Sequence, residues 1–436
     1  MKKLLSIQAL ALSCVLTAQT ATVPTQTAFE NLESGLNGLA KKGQQLAGNQ
    51  LYLQSQVDSL SAQNSALWAK VDSLITALKD SSQPTPPVPP QPIGKVVKVY
   101  NAQELKAAVK SEVAPLHIKL MGGIFDFRPY EALQVNKQVI LDGSEGKQAS
   151  YLFGAQLILR EGAKGSTIKH LNIYVGDGRP ENQISERDAF KNKADDVTFE
   201  NCTFGFGVDE TGQNLGANVE FIKCLLHYPL SSPLHNKGPH PKGLLLAHYK
   251  GEQGSKVTID QCAFLGCVDR NPMFNAGVTG SVTNTFIYQC KFGIGFSTHR
   301  GKDLPPILAS TSNIVIDKCW KTWFRPVHLN ANAQGDAKIY AQNWIVNGEW
   351  RQTPWDDGAW LRKIYGHYEA KEPPMPMPAL IPINQVKEKV LSEVGARPEL
   401  RDSLVLSSIN AAKNGTKIPT LTTAQGHWPV PVNPSK

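Results

Sequence analysis

Val197-Thr-Phe-Glu-Asn-Cys202, Val219-Glu-Phe-Ile-Lys-Cys224, Val257-Thr-Ile-Asp-Gln-Cys262, Ile287-Tyr-Gln-Cys290 and Ile314-Val-Ile-Asp-Lys-Cys319 repeat one phrase, alternating apolar residues closed by a cysteine. Such alternation is the pattern of a strand with one buried face. With Leu171 and Trp344 as apolar stand-ins at either end, the marked position recurs at 171, 202, 224, 262, 290, 319 and 344, in steps of 31, 22, 38, 28, 29 and 25 residues. Steps that vary above a floor predict solenoid coils, in which every turn adds one rung and loops absorb the excess. A β-sandwich would instead show turn signals about every 8–12 residues, with no inward residue recurring at one phase. The fold class expected is all-β, a right-handed parallel β-helix over residues 95–365.

A residue repeated at one phase stacks on its own copies, and free cysteine is a small buried hydrophobe, so these five positions predict a thiol ladder rather than disulfides. The expectation holds even though the chain begins like an exported one. Met1-Lys2-Lys3, an apolar run from Leu4 to Leu16 and small residues at 18–21 have the layout of a secretory signal peptide over residues 1–21. A secreted or periplasmic location follows. Lipid attachment through Cys14 is the weaker alternative, because the apolar stretch before it is short. No later segment is apolar enough to predict a transmembrane span.

Ahead of the solenoid, apolar residues recur at alternating steps of three and four from Phe29 to Leu78, which predicts a coiled coil over residues 28–80 and self-association into a homo-oligomer. Asn64 falls at an a position of that heptad seam, the placement that fixes register and strand number. Pro84-Thr-Pro-Pro-Val-Pro-Pro-Gln-Pro92 reads as a semi-rigid polyproline linker within residues 81–94. Residues 366–436 are expected to form a short helical and extended tail packed on the β-helix.

Rungs of parallel strands stack about 4.8 Å apart, so residues at similar offsets beyond the ladder position share one face. Asp177 lies six residues past Leu171, Asp209 seven past Cys202, Arg270 eight past Cys262, His299 nine past Cys290 and Arg325 six past Cys319. An acidic end is thereby expected to run into a basic one. The longest coil contains the loop Pro233-Leu-His-Asn-Lys-Gly-Pro-His240, which brings Lys237, His235 and His240 to the same strip. Asp188, Glu200 and Glu210 are further carboxylates expected to approach Asp177 and Asp209. Oxygen ligands favour calcium over zinc. The formal charge of +8 suits an acidic polymer as partner, and no nucleic-acid motif accompanies it.

At these residues the chain resembles polysaccharide lyase family one, the pectate lyases. The likeness is carried by Phe199-Glu-Asn-Cys202 followed by Gly207-Val-Asp-Glu210, by His235-Asn-Lys-Gly-Pro-His240, by Asp269-Arg-Asn-Pro272, and by the tail from Val386 to Pro419. The resemblance implies calcium-assisted β-elimination on a uronate polymer, pectate or polygalacturonate. It casts Arg270 as the base that takes the C5 proton and Lys237 as a holder of the substrate carboxylate, with Asp209, Asp177, Glu200, Glu210 and Asp188 for the metal. His235, His240, His299 and Arg325 are left for substrate binding. The chain departs from the family where Asp-His is replaced by Glu200-Asn201 and where Asn275 stands in place of a second arginine. The alternative expectation is a non-catalytic carbohydrate-binding or adhesive β-helix displayed on the coiled coil, where avidity raises binding without new contacts.

Overall fold

The computed structural model describes residues 26, 30–31, 33–43, 54, 58, 62, 94–178, 186–247, 255–297, 304–319, 325–330, 337–354 and 368–429. The chain divides into two units, 1–91 and 92–436. The expected leader, 1–21, and most of the expected coiled coil, 28–80, lie outside the described residues. Within that segment residues 33–43 are helical and expose two seam leucines, Leu36 at 58% and Leu39 at 63%.

In the second unit successive coils add parallel strands to three ladders. The first ladder stacks Lys95–Val99, Leu116–Leu120, Val139–Asp142, Thr167–Lys169, Thr198–Glu200, Val219–Ile222 and Ser255–Asp260. It continues through the opening halves of the long strands Val278–Tyr288, Ile307–Asp317 and Ala337–Val346. The second ladder includes Leu171–Tyr174, Thr203–Gly205, Leu225–His227 and Ala263–Leu265, then the closing halves of the same long strands. The third stacks Phe190–Asn192, Glu210–Asn214, Lys242–Leu246, Met273–Asn275, Phe292–Ser297 and Arg325–Asn330. This arrangement fits a right-handed parallel β-helix.

The ladders differ in what covers them. Strands of the first alternate buried and accessible residues, as one-faced strands do. Strands of the second are buried throughout. Their inner side chains fill the solenoid, where Phe199 and Phe221 stack at 4.9 Å and 2°. Their outer side chains, among them Tyr151, Tyr174, Leu225, Phe286 and Tyr288, pack against Val386, Val390, Leu391, Val405 and Ile409 of the C-terminal segment. At the start of the solenoid helix α1 (Ala102–Lys110) buries Ala102, Leu105, Ala108 and Val109 in the main core. Its Asn101 cap accepts from Glu104 N, and Glu104 accepts from Tyr100 N in return. Among the described residues no helix is long and apolar enough to cross a membrane.

Seven coils turn from first to second ladder through one left-handed residue each: His170, Asn201, Lys223, Gln261, Asn284, Asn313 and Asn343, with φ between 47° and 59°. Asparagine tolerates this region best among residues with a Cβ. In the last three coils the amides also bond along the axis. Asn284 Nδ2 donates to Asp260 Oδ1 at 2.7 Å, Asn313 Nδ2 to Asn284 Oδ1 at 3.2 Å, and Asn343 Nδ2 to Asn313 Oδ1.

The cysteines stack, but as two ladders of three instead of one of five. Cys202, Cys224 and Cys262 occupy the first corner, immediately before the in-register residues Thr203, Leu225 and Ala263. Ala263 pairs with Phe286, so Thr285 follows Cys262 in that column and Cys290 does not. Cys290 belongs to the next corner, with Cys267 and Cys319, two residues beyond Leu265, Tyr288 and Asp317. The phrase preceding a cysteine leads into either corner, which is why counting along the chain merged them. All six described cysteines are free; five are buried and Cys319 is partly accessible. Burial pushes the Cys202 thiol well up and that of Cys267 up to about 12, which suppresses the reactive thiolate. A thiol-specific reagent on the native second unit is expected to modify Cys319 and to reach the other five only after unfolding, with mass spectrometry of digests as the readout.

Of two tail helices, α2 (Ile383–Glu393) and α3 (Ser403–Asn414), the second is pinned by a buried polar network. The Tyr174 hydroxyl lies 2.9 Å from His227 Nε2 and donates to Asp402 Oδ2 at 3.3 Å, while His227 Nδ1 is 3.0 Å from Ser408 Oγ. Asp402 Oδ1 caps α3 by accepting from Leu404 N and Val405 N. Burial lowers the His227 pKa from 6.5 to about 3 and raises that of Asp402 from 3.8 to about 6. Below pH 6.5 the unfolded chain protonates this histidine and the folded chain does not, so its contribution to stability is lost as pH falls from 6.5 toward 3. Asp402 works in the opposite sense, costing stability as pH rises from 3.8 to 6. Thermal melts across this range should show that His227→Gln loses less stability on acidification than wild type does.

Candidate functional site

The third ladder begins where coils leave the second corner, and its first residues line up from rung to rung. Gly212 pairs with Phe190, which sets Glu210 against Asp188; Glu210 pairs with Lys242, and Lys242 bridges to Asp269. Arg270 follows Asp269. Asn271 N donates to Gly293 O, and Phe292 pairs with Arg325. Acidic side chains therefore lead into basic ones over five rung steps, roughly 24 Å at strand spacing.

Asp188, Asp209 and Glu210 each offer an oxygen within 4.8 Å of the others. Glu210 N donates to Asp188 Oδ1 at 3.1 Å. Burial, and then the neighbouring Asp209 charge, hold the Asp188 carboxyl well above the usual carboxylate range. Carboxylates crowded in this way are the donor set of a hard cation, which removes both the repulsion and the desolvation penalty. Glu210 also forms an ion pair with Arg270 Nη1. The Arg270 backbone is left-handed, φ 61°, and its N–H donates to Asp269 Oδ1 at 2.6 Å. A non-glycine residue held in this region at a charged cluster marks strain that the surroundings must support.

His235 and His240 flank Asp209 from the loop 233–240. Their Nε2 atoms lie 3.5 and 3.3 Å from Asp209 Oδ1, and the rings stack at 4.5 Å and 10°. Asp209, His235 and His240 satisfy the spacing of a second metal-ligand group. The tautomer argues against that use. His235 Nδ1 accepts the Lys237 N–H at 3.1 Å, so the neutral ring carries its proton on Nε2 and directs it to Asp209. Burial, with Lys242 second, lowers the His240 pKa to about 4, which keeps this ring neutral near pH 7. The histidines brace one oxygen of Asp209, and the acidic trio is the better cation site.

The other sequence candidates fall elsewhere. Asp177 does not join the trio; its Oδ1 accepts from Thr423 Oγ1 and Ala424 N of the tail, at 3.1 and 3.0 Å. Glu200 is in the first ladder between Lys169 and Ile222, away from the loops that carry the trio. Lys237 is exposed at the loop tip, and the contact it provides is made by its backbone. His299 lies outside the described residues. Arg325 begins the last third-ladder strand, in the line that contains Arg270.

Two residues in the line escaped sequence reasoning. Lys242 stands between Glu210 and Asp269, and the signal was a lysine opening the apolar strand Lys242–Leu246. His328 stacks on Phe292 at 4.2 Å with Nδ1 4.0 Å from Asp269 Oδ1, and burial lowers its pKa. It had no signal, because its alignment appears only once the rungs are built.

The chain matches no protein-family model and no curated protein sequence. Among solved structures it is similar to a pectate lyase bound to a hexasaccharide, at 11% identity and a TM-score of 0.50, over 70% of this chain and 92% of the other. A Bacillus subtilis pectate lyase variant aligns at 12% identity and a TM-score of 0.48, over 69% and 91% of the two chains. The cedar pollen allergen jun a 1 aligns at 13% identity and 0.49, over 70% and 89%. The first of these supports the parallel β-helix as the fold.

Calcium is expected to raise the melting temperature of the wild-type protein. Asp188→Asn should melt a few degrees higher than wild type in chelator, because a buried carboxyl is neutralised, and should lose the calcium-dependent shift. A zinc-dependent shift that survives Asp188→Asn would instead transfer metal binding to the histidine pair.

Proposed function

We propose that the protein is an exported polysaccharide lyase that cleaves a uronic-acid polymer, galacturonan first, by calcium-assisted β-elimination. The observation that carries this reading is the acidic trio of buried Asp188 and Glu210 with partly exposed Asp209, lying beside the rung register of Lys242 and Arg270. The fold likeness to a pectate lyase agrees with it. The leader at residues 1–21 and self-association through residues 28–80 belong to the same proposal.

In β-elimination a base takes the proton from C5, the C4–O bond breaks, a C4–C5 double bond forms, and the leaving oxygen acquires a proton. Asp188, Asp209 and Glu210 would hold calcium, whose charge draws in the sugar carboxylate and acidifies the adjacent C–H. The histidine pair keeps Asp209 oriented. Lys242, and Lys237 at the loop tip, supply positive charge for the substrate carboxylate. Arg270 is the proposed base, although a guanidinium normally stays charged because its pKa exceeds about 12. Its ion pair with Glu210 reinforces that charge. Lys242 stands one register position from Arg270, and like charges favour the neutral guanidine.

The same ion pair favours a second reading, a carbohydrate-binding β-helix in which Arg270 is permanently charged and no proton is abstracted. Ultraviolet absorbance of unsaturated product from polygalacturonate, with calcium or with chelator, separates the two. Calcium-dependent product is expected from wild type. Arg270→Lys should lose about 10²- to 10⁴-fold in turnover while remaining folded and binding polymer. Polymer binding without product in wild type would make the protein a lectin-like binder.

A further inference from the structure

We propose that the cleft between Arg128 and the C-terminal segment 423–428 is a second sugar subsite, which takes a hexuronate unit of the polymer chain engaged at the acidic trio. This inference rests on the lyase reading above. The cleft encloses about 810 Å³ and is lined by Arg128, Asp177, Gly178, Leu234, Thr423 and Trp428 with their neighbours. That volume lies in the usual range of ligand clefts, about 300–1,000 Å³.

Two connections bring the cleft near the candidate site. Leu234, on its rim and 58% exposed, immediately precedes His235, whose ring is against Asp209. Asp177, on its wall, is close enough to act electrostatically on the buried Arg187, which immediately precedes Asp188. Leu234 is thus the residue that a polymer reaching from the trio to this cleft would pass.

The chemistry of the walls suits an acidic sugar. Arg128 Nε donates to Asp126 Oδ1 at 2.8 Å, and the guanidinium lies 5.4 Å from the Trp428 ring and 5.6 Å from Phe153. Its orientation is thereby fixed before any ligand arrives, and among the described residues Nη1 has no partner. An arginine clamped on one edge presents its other N–H groups to a carboxylate at little further entropic cost. Asp177 commits Oδ1 to the tail, and among the described residues Oδ2 has no partner, leaving an acceptor for ring hydroxyls. The carboxylates of Asp126 and Asp177 are already engaged by Arg128 and by tail donors, which moderates their repulsion of an anionic chain.

The test compares trigalacturonate with longer oligogalacturonates, by calorimetric titration of the full-length protein with calcium. Arg128→Gln and Leu234→Asp should each lower the ratio of long-chain to trimer affinity by about tenfold, the loss of one charge-assisted contact or the gain of one repulsion. Leu234 is exposed, so its variant reports on the cleft even if the arginine variant unfolds. An unchanged ratio in a folded variant overturns the subsite alone. Equal affinity for a carboxyl-reduced long oligomer also overturns it, since Arg128 would then have no carboxylate to recognise. Failure of wild type to bind any oligogalacturonate defeats the lyase reading and this inference together.

Discussion

Everything in this molecule is set by the in-register hydrogen bonding of parallel strands between successive coils. The backbone pairs each coil to the next at a spacing near 4.8 Å, and that spacing determines what side chains can do. Phenylalanines stack face to face inside the solenoid, thiols stack at two corners, and asparagine amides bond along the axis. The same spacing crowds carboxylates. Asp188 and Glu210 stand on consecutive rungs because Gly212 pairs with Phe190, and relaxing their repulsion by moving apart would break the ladder beneath them. The fold thus confines the charges to one place, and ligands, protons or counter-charges must accommodate them. Glu210 meets this demand by pairing with Arg270 on the far side of Lys242, and Asp188 by retaining a raised pKa.

The strand phrase ending in cysteine was sufficient to read the architecture, because a solenoid repeats its inward positions and a repeat is visible in one dimension. The phase of each coil was harder. Cys290 and Cys319 close phrases like that of Cys262, yet they sit one corner later, and only the pairing of Ala263 with Phe286 reveals it. Offsets counted from Cys202 and Cys262 led to Asp209 and Arg270, which lie at the start of third-ladder strands, beside Glu210 and Asp269. Asp177 failed for a different reason: its partners, Thr423 and Ala424, come from a tail some two hundred and forty residues away in the chain. Side-chain commitments of that range leave no local trace. Lys242 and His328 were legible only as strand residues, since nothing in their neighbourhoods distinguishes a groove-facing position from any other.

The second ladder illustrates how covering the outside of a solenoid alters its sequence. Leu225-Leu-His227 and Ala263-Phe-Leu265 lack the alternation of first-ladder strands because both faces are buried, one by the core and one by α2 and α3. A histidine is tolerated there only with both ring nitrogens near partners, Tyr174 and Ser408.

The path of the C-terminal segment bears on how the molecule carries load. It crosses late coils first, where Asn284 Nδ2 donates to Ala379 O, and reaches early ones between α2 and α3, where Arg397 donates to Gly146 O. It then goes back over middle and late coils, where Ser408 meets His227 and Ile418 O accepts from Gln289 Nε2, and ends on early ones, where Trp428 packs on Phe153. A strap laid along the axis ties coils that are not adjacent. Tension applied at residue 429 is thus delivered to the early coils in shear, spread over Asp177, Phe153 and Arg128. It does not reach the last coil as a peeling force, and a solenoid strapped in this way resists being unwound from the end at which its chain leaves.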